Sequence, residues 1–277
     1  MDNIEEYLKK TRKTLVSIDK KDFFNKKLYD SSSYLLKEGG KLLRPSLVFL
    51  GALYSGIDPE EVIDMSISIE LLHTSSLIHD DLIDKDLYRR GVNATHVKFG
   101  NEIALLAGDA LISEAIRRAS SYGKKVIDIM AVTAMKMAAG ESLDFEFQKN
   151  REVPKLKDYF NISELKSTSL IETAISLPAI YKNQKEANEL KEFGYNFGMA
   201  FQIKDDIDDY ILARDEKKSS EKNRPNIVNS LTASGIKEED AISKAKLLNK
   251  EYLISGEKCL KGINKKELLE YKNIASV

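Results

Sequence analysis

The stretch EEVIDMSISIELLHTSSLIHDDLID, Glu60 to Asp84, runs for about seven helical turns without a proline or a glycine. Its entry is well marked. Asp58 suits the N-cap, Pro59 the first helical position, and Glu61 the closing partner of a capping box, while Ile57 and Val62 offer a hydrophobic staple. Apolar residues fall on most sides until the aspartates, so the segment reads as a central helix surrounded by others. A second segment of this kind is KEFGYNFGMAFQIKDDIDDYI, Lys191 to Ile211.

Outward from these two segments, apolar residues recur at three and four positions nearly throughout, which predicts an all-α chain. With 5 prolines and 14 glycines there is little punctuation, and no strand-like alternation stands out. Breaks are expected at Lys37–Pro45, Tyr54–Pro59, Arg89–Asn101, Gln148–Lys155 and Ala213–Asn226. The first, KEGGKLLRP, predicts a helix whose first residue is Pro45. The last, ARDEKKSSEKNRPN, is long and highly charged and reads as a mobile loop. No repeat or Pro/Ser-rich linker divides the chain, so residues 1–277 are expected to form a single domain.

The 277 residues are 42% apolar and 31% charged, enough for an ample core. Net charge is -1, from 43 basic and 44 acidic residues, which gives no footing for a nucleic-acid or membrane-surface role. Any charge-based function must therefore come from local clustering. One cysteine, Cys259, excludes an intramolecular disulfide and points to a reducing compartment; it reads as a half-buried, inert thiol. The N-terminal stretch is charged, with no signal-type apolar core, and no run of about 18 uncharged apolar residues occurs. The expectation is a soluble, cytoplasmic protein without stable membrane insertion.

Charge does cluster on the two long helices. Asp80, Asp81 and Asp84 fall within an arc of about 100° on one helix face. Asp205, Asp206 and Asp209 repeat the D-D-x-x-D spacing, with Asp208 as an extra acid. Carboxylates this close repel, and Asp is a poor helix-interior residue, so a cation is expected to relieve them. Oxygen-only ligands predict Mg²⁺ or a similar hard ion held partly by substrate phosphate, and Cys and His are too scarce for zinc. Two such patches on facing helices suit a metal–diphosphate unit.

Basic residues complete the pattern. GGKLLRP sets Lys41 and Arg44 at a helix entry with a Gly-Gly approach, suited to an anion. Arg89 and Arg90 follow the first aspartates, and Lys166 sits in ELKSTSL. Together they predict a second diphosphate held by Arg and Lys alone. His73, seven residues before Asp80 and on nearly the same face, is a candidate donor to it. His79 reads as a supporting or structural group, and His96 is given no role.

GGKLLRP, ELLHTSSLIHDDLIDKDLYRRG, LLAGDALI, LKSTSLIE and FQIKDDIDDY resemble, in order, the motifs of trans-isoprenyl diphosphate synthases, over about Lys37 to Tyr210. The resemblance implies an all-α bundle of the isoprenoid synthase type around a deep central cavity, usually a homodimer. It implies Mg²⁺, with Mn²⁺ as a substitute, bound by Asp80, Asp81, Asp84, Asp205, Asp206 and Asp209 on an allylic diphosphate. Arg89, Lys166, Ser167 and Gln202 are implied to contact that substrate, and Lys41, Arg44, His73 and Arg90 to hold isopentenyl diphosphate. The implied chemistry is departure of the allylic diphosphate, attack by the isopentenyl double bond and loss of a proton, with no protein nucleophile.

Two departures stand out. The family's glycine-rich G-K-x-T-like segment after the second motif is replaced by ARDEKKSSEKNRPNIV, where Lys217, Lys218 and Lys222 are the candidate substitutes. Ser167 replaces the threonine that usually follows the lysine. The resemblance also places the tail-length residues: Ser75 and Ser76 are small, Leu72 and Leu71 lie one turn deeper, and a neighbouring helix around Leu111 to Ala115 is a further candidate floor. These imply a product longer than farnesyl, with geranylgeranyl diphosphate the expectation and farnesyl or longer chains the alternative. A class I terpene cyclase would mix Asn, Ser and Glu into the second motif, unlike DDIDD. A non-catalytic subunit would have lost an aspartate motif.

Overall fold

The computed structural model describes residues 2–215, 225–260 and 265–277. Helices dominate as expected: α1 Asp2–Val16, α2 Lys26–Ser32, α3 Tyr34–Lys37, α4 Leu43–Tyr54, α5 Ile63–Asp84, α6 Thr95–Phe99, α7 Asn101–Ala119, α8 Lys124–Asn150, α9 Leu156–Ser163, α10 Ser169–Tyr181, α11 Ala187–Asp215, α12 Ile227–Ala233, α13 Glu238–Cys259 and α14 Lys265–Ala275. The chain divides into two compact units. One holds Met1–Val132 and Ala174–Ala187, the other Thr133–Thr173 and Asn188–Val277.

In the first unit α5 is the hub, packed by α1, α4, α6 and α7. Met65, Ile67, Ile69, Leu71 and Ile78 are buried on different sides of it, as expected of a helix surrounded by others. Gly108 lets α7 close on α5, because a Cβ there would lie 2.1 Å from His79 Nε2.

The helix entry differs in detail from the sequence reading. The Asp58 carboxylate accepts from the Glu60 N–H at 3.0 Å and starts a 3₁₀ turn, Pro59–Val62, before α5 proper. Glu61 closes no capping box; its carboxylate pairs with Lys182, a charge partner that the backbone N–H cannot match. The helix expected to start at Pro45 starts at Leu43. Pro45 is then its third residue, where a missing N–H costs nothing because the first four donors of a helix have no intrahelical acceptor.

One element escapes the all-α reading. Tyr88–Arg89 (β1) pairs antiparallel with Val92–Asn93 (β2), through Arg90 and Gly91 at φ +54° and +78°. Two successive positive φ values make the primed turn that tight hairpins favour. Two residues per strand are too few to leave a periodic signal.

The second unit centres on α9, α11, α12 and α13, with Tyr159, Ile203, Ile207, Val228 and Leu231 in one buried cluster. Asn249 of α13 donates to Ala200 O and Ala275 O, each at 2.7 Å, tying α11 and α14 to it. The break expected from Ala213 begins later, since α11 continues to Asp215. Residues 216–224, with Lys217, Lys218 and Lys222, lie outside the described residues. Cys259 is half-buried, its thiol pushed up by burial. Among the described residues no helix is long and apolar enough to cross a membrane.

Candidate active site

On α5 a stripe of incompletely buried residues runs from His73 through Ser76 and Leu77 to Asp80 and Asp84, at three- and four-residue spacing. Asp81 leaves this stripe. Its side chain is fully buried and accepts from Arg89 Nε at 2.7 Å, with Arg89 Nη2 on the same oxygen. Its second oxygen, Oδ2, makes no hydrogen bond among the described residues. Burial pushes the Asp81 carboxyl up and Arg89 pulls against that. The hairpin thus brings Arg89 back over the end of α5.

In the same unit, Arg44, His73 and Arg90 gather around the buried Glu70. Arg44 Nη1 donates to His73 Nε2 at 3.0 Å. A guanidinium only donates, so Nε2 accepts and the ring carries its proton on Nδ1. Burial, with Arg44, Arg90 and Arg89 nearby, holds His73 well below the ordinary imidazole range. Arg90 donates to Leu35 O at 2.8 Å and to Glu70 Oε1 at 3.3 Å. Burial raises Glu70, and Arg90 and Arg44 oppose it. Lys41, expected in the same group, stands exposed on the loop. His79 bonds Leu105 O at 3.1 Å, a structural position.

In the second unit α11 repeats the division seen on α5. Asp206 is buried, whereas Asp205 is partly buried and Asp209 is exposed. Asp206 accepts from the Ile227 N–H at 2.9 Å and from Gln202 Nε2 at 2.7 Å, beside Tyr159. Burial pushes its pKa up to about 7, against those donors. Asp208 pairs with Lys204 on the exposed side. Lys166 lies in a π-helical turn, Glu164–Thr168, the kind of helix irregularity often found at functional sites. Its Nζ is 2.7 Å from Glu141 Oε2 and also contacts Asp144. Ser167 beside it is partly buried.

The aspartates of each triad, read as lying within one arc of about 100°, differ in exposure. In both motifs the middle carboxylate is buried and hydrogen-bonded, and the outer two remain accessible in part. Among the described residues no three His, Cys, Asp or Glu side chains gather to hold a metal. Asp80 with Asp84, and Asp205 with Asp209, offer hard oxygen donors one turn apart. Such a set fits Mg²⁺, which is bound by one or two carboxylates and completed by phosphate and water rather than by a full protein cage.

Residues 25–246 match the polyprenyl synthetase family. The chain belongs to that family. A short chain isoprenyl diphosphate synthase of Methanocaldococcus jannaschii is 35% identical over 223 residues, 78% of this chain and 65% of the relative. A geranylfarnesyl diphosphate synthase of Aeropyrum pernix is 36% identical over 65% of this chain and 61% of its own length. The chain thus spans under two thirds of these curated relatives. The structure of a geranylgeranyl pyrophosphate synthetase from the archaeon Geoglobus acetivorans superposes with a TM-score of 0.83 at 26% identity, covering 99% of this chain and 97% of that one. The isoprenoid synthase fold is shared across that length.

Sequence reasoning missed Glu141, Asp144 and Tyr159. The first two had a signal: an E-x-x-D pair following a glycine inside AAGESLDFEF, on one face of α8. Tyr159 had none, since an aromatic in an amphipathic helix reads as core.

A carboxyl raised in the folded state favours folding at low pH, and that contribution is lost as pH rises through its folded value. In excess chelator, the stability of the wild type is expected to fall between about pH 4 and pH 7 by up to a few kcal/mol through Asp206. Asp206→Asn should flatten that part of the curve. Denaturant titrations across this range check it, and an unchanged slope in the variant rejects the buried-carboxyl account.

Proposed function

We propose that the chain is a Mg²⁺-dependent prenyltransferase. It condenses isopentenyl diphosphate with an allylic diphosphate to give a trans-prenyl diphosphate, with geranylgeranyl diphosphate as the main product. The observation that carries this is the repeated division of the two aspartate motifs, each with accessible outer carboxylates and an enclosed middle one, in a member of the polyprenyl synthetase family. The names of the related synthases support the same reaction class.

Asp80, Asp84, Asp205 and Asp209 are the proposed metal ligands. Bound Mg²⁺ supplies charge neutralisation for the departing diphosphate. Asp81 orients Arg89 toward the allylic diphosphate, and Asp206 does the same for Gln202, with Lys166 and Ser167 as further contacts. Arg44, His73 and Arg90, with Lys41 closing from the loop, take the isopentenyl diphosphate. With Nε2 of His73 occupied by Arg44, its Nδ1–H is the donor left for that anion. The apolar helix faces exclude water from the cationic intermediate.

Asp80→Ala or Asp205→Ala should lower turnover by roughly two orders of magnitude or more, since each removes a ligand from a cation that acts on developing charge. Helical circular dichroism should stay near normal. Turnover retained in excess chelator, or in either variant, rejects the metal-dependent reading.

Product length follows from the accessible stripe on α5. Ser76 lies on it, four residues before Asp80, with its hydroxyl bonded to His73 O at 2.9 Å. Ser75 is buried, bonding Leu72 O at 2.9 Å. Leu72, Leu111 and Ala115 are buried beyond it. One helical turn of about 5.4 Å approximates one five-carbon unit. Ser76→Phe should therefore shorten the main product by one unit, whereas Ser75→Phe should chiefly cost stability through overpacking. Radiolabelled product sizing decides this; a wild type stopping at farnesyl diphosphate, or an unchanged Ser76→Phe pattern, overturns the assignment.

Two copies are proposed to associate. Leu105, Leu106 and Ile116 stand on the outer face of α7, each more than two fifths exposed, an apolar strip that a second copy would cover. Light scattering should report a dimer, and Leu106→Lys should shift it to monomer; a monomeric wild type removes the proposal.

A further inference from the structure

Lys166 is held more elaborately than a substrate-facing lysine requires. Its side chain is 26% exposed, and its Nζ meets two acids of α8, Glu141 at 2.7 Å and Asp144. Both acids are nearly buried, at 8% and 7% exposed. They stand at i and i+3, so they share one helix face. The residue before them is Gly140, where a Cβ would lie 2.4 Å from Lys166 N and 2.7 Å from its Cα. Only a glycine lets α8 approach the lysine's own backbone that closely. The lysine in turn sits at the centre of a π-helical turn, which displaces it from the regular helix surface. Four separate features thus converge on one lysine, two on its backbone and two on its ammonium group.

We propose that Glu141 and Asp144 are positioning residues that hold the Lys166 ammonium in its working orientation. This rests on the reading of Lys166 as a contact to the allylic diphosphate. The ammonium donates to Asp144 and lies 2.7 Å from Glu141 Oε2, so two acids of one helix face fix its position. A lysine side chain has four rotatable bonds, and fixing it beforehand removes an ordering cost that the substrate would otherwise meet on binding. The two carboxylates also outweigh the single positive charge. The lysine therefore acts as an oriented donor inside an acidic setting, and it is not a free cation drawing anions from a distance. Because the acids lie on α8 and the lysine between α9 and α10, the clamp fixes its position from a separate helix.

The test is a double-mutant cycle combined with a direct labelling measurement. Glu141→Ala should lower kcat/KM for the allylic substrate about tenfold, as expected for loss of a close, nearly buried charge partner. KM for isopentenyl diphosphate should stay within about twofold, and Glu141→Gln, which keeps an acceptor, should recover part of the loss. In a Lys166→Ala background the same Glu141→Ala change should cost under about twofold, because the group it positions is gone. Equal losses in both backgrounds overturn the proposal and leave Glu141 a general structural residue. Independently of activity, limited acetylation with acetic anhydride reads the clamp itself. Glu141→Ala with Asp144→Ala should raise the labelling rate of Lys166 about fivefold relative to the well-exposed Lys185, as expected once a charged side chain loses its held geometry. An unchanged ratio overturns the proposal. If Lys166→Ala alone has wild-type kinetics, the substrate contact assigned to Lys166 falls, and the labelling result decides the clamp without it.

Discussion

The enclosed middle aspartate is the constraint that most of the site depends on. A carboxylate inside a helical interior loses its hydration and must be met by donors. Asp81 is met by the Arg89 guanidinium, which the β1–β2 hairpin carries back to the end of α5. Asp206 is met by Gln202 from one turn earlier on α11 and by the first backbone N–H of α12. The fold therefore uses one carboxylate per motif to fix its neighbours, and only the outer pair keeps the accessibility that a cation and a phosphate need.

That division explains why such helices tolerate three acids in five residues. Three solvated carboxylates on one face would repel in every state. With the middle one turned inward and answered, and Asp208 of α11 paired with Lys204, the two outer charges face each other one turn apart. The remaining repulsion is of the size that a hard divalent ion relieves, and a pair of carboxylates is the protein share that Mg²⁺ accepts. Apolar surroundings reinforce the arrangement. Ile78 on α5 and Ile203 and Ile207 on α11 are fully buried around the motifs, so rotating a middle aspartate outward would exchange packed contacts for a void.

What was legible in the sequence followed periodicity and composition. The helices, the central position of α5 and the two acidic motifs all repeat at intervals that a helix fixes, so they could be read without coordinates. The burial of Asp81 and Asp206 could not, because an even helical wheel gives all three acids of a motif similar bearings. Which one turns inward is set by donors distant in sequence: Arg89 beyond a turn, and Ile227 at the start of another helix. The hairpin was hidden for the same reason, since a two-residue strand has no period. Glu61 shows the opposite failure. Its local motif was correct in spelling, but Lys182 offered a charged partner that outcompeted the backbone N–H.

The Lys166 environment extends this logic from the metal motifs to a residue with no motif-bound acid of its own. Arg89 and Gln202 are oriented by carboxylates belonging to the aspartate motifs, whereas Lys166 is met by Glu141 and Asp144 of α8. Arg89, Gln202 and Lys166 thus each have a buried or nearly buried carboxylate behind them. A site that must stabilise charge only as a bond breaks gains most from donors that need no rearrangement at that moment. Long side chains such as Arg, Lys and Gln lose the most freedom when they are ordered. Fixing them through buried acids during folding places that cost in the stability of the protein rather than in the barrier of the proposed reaction.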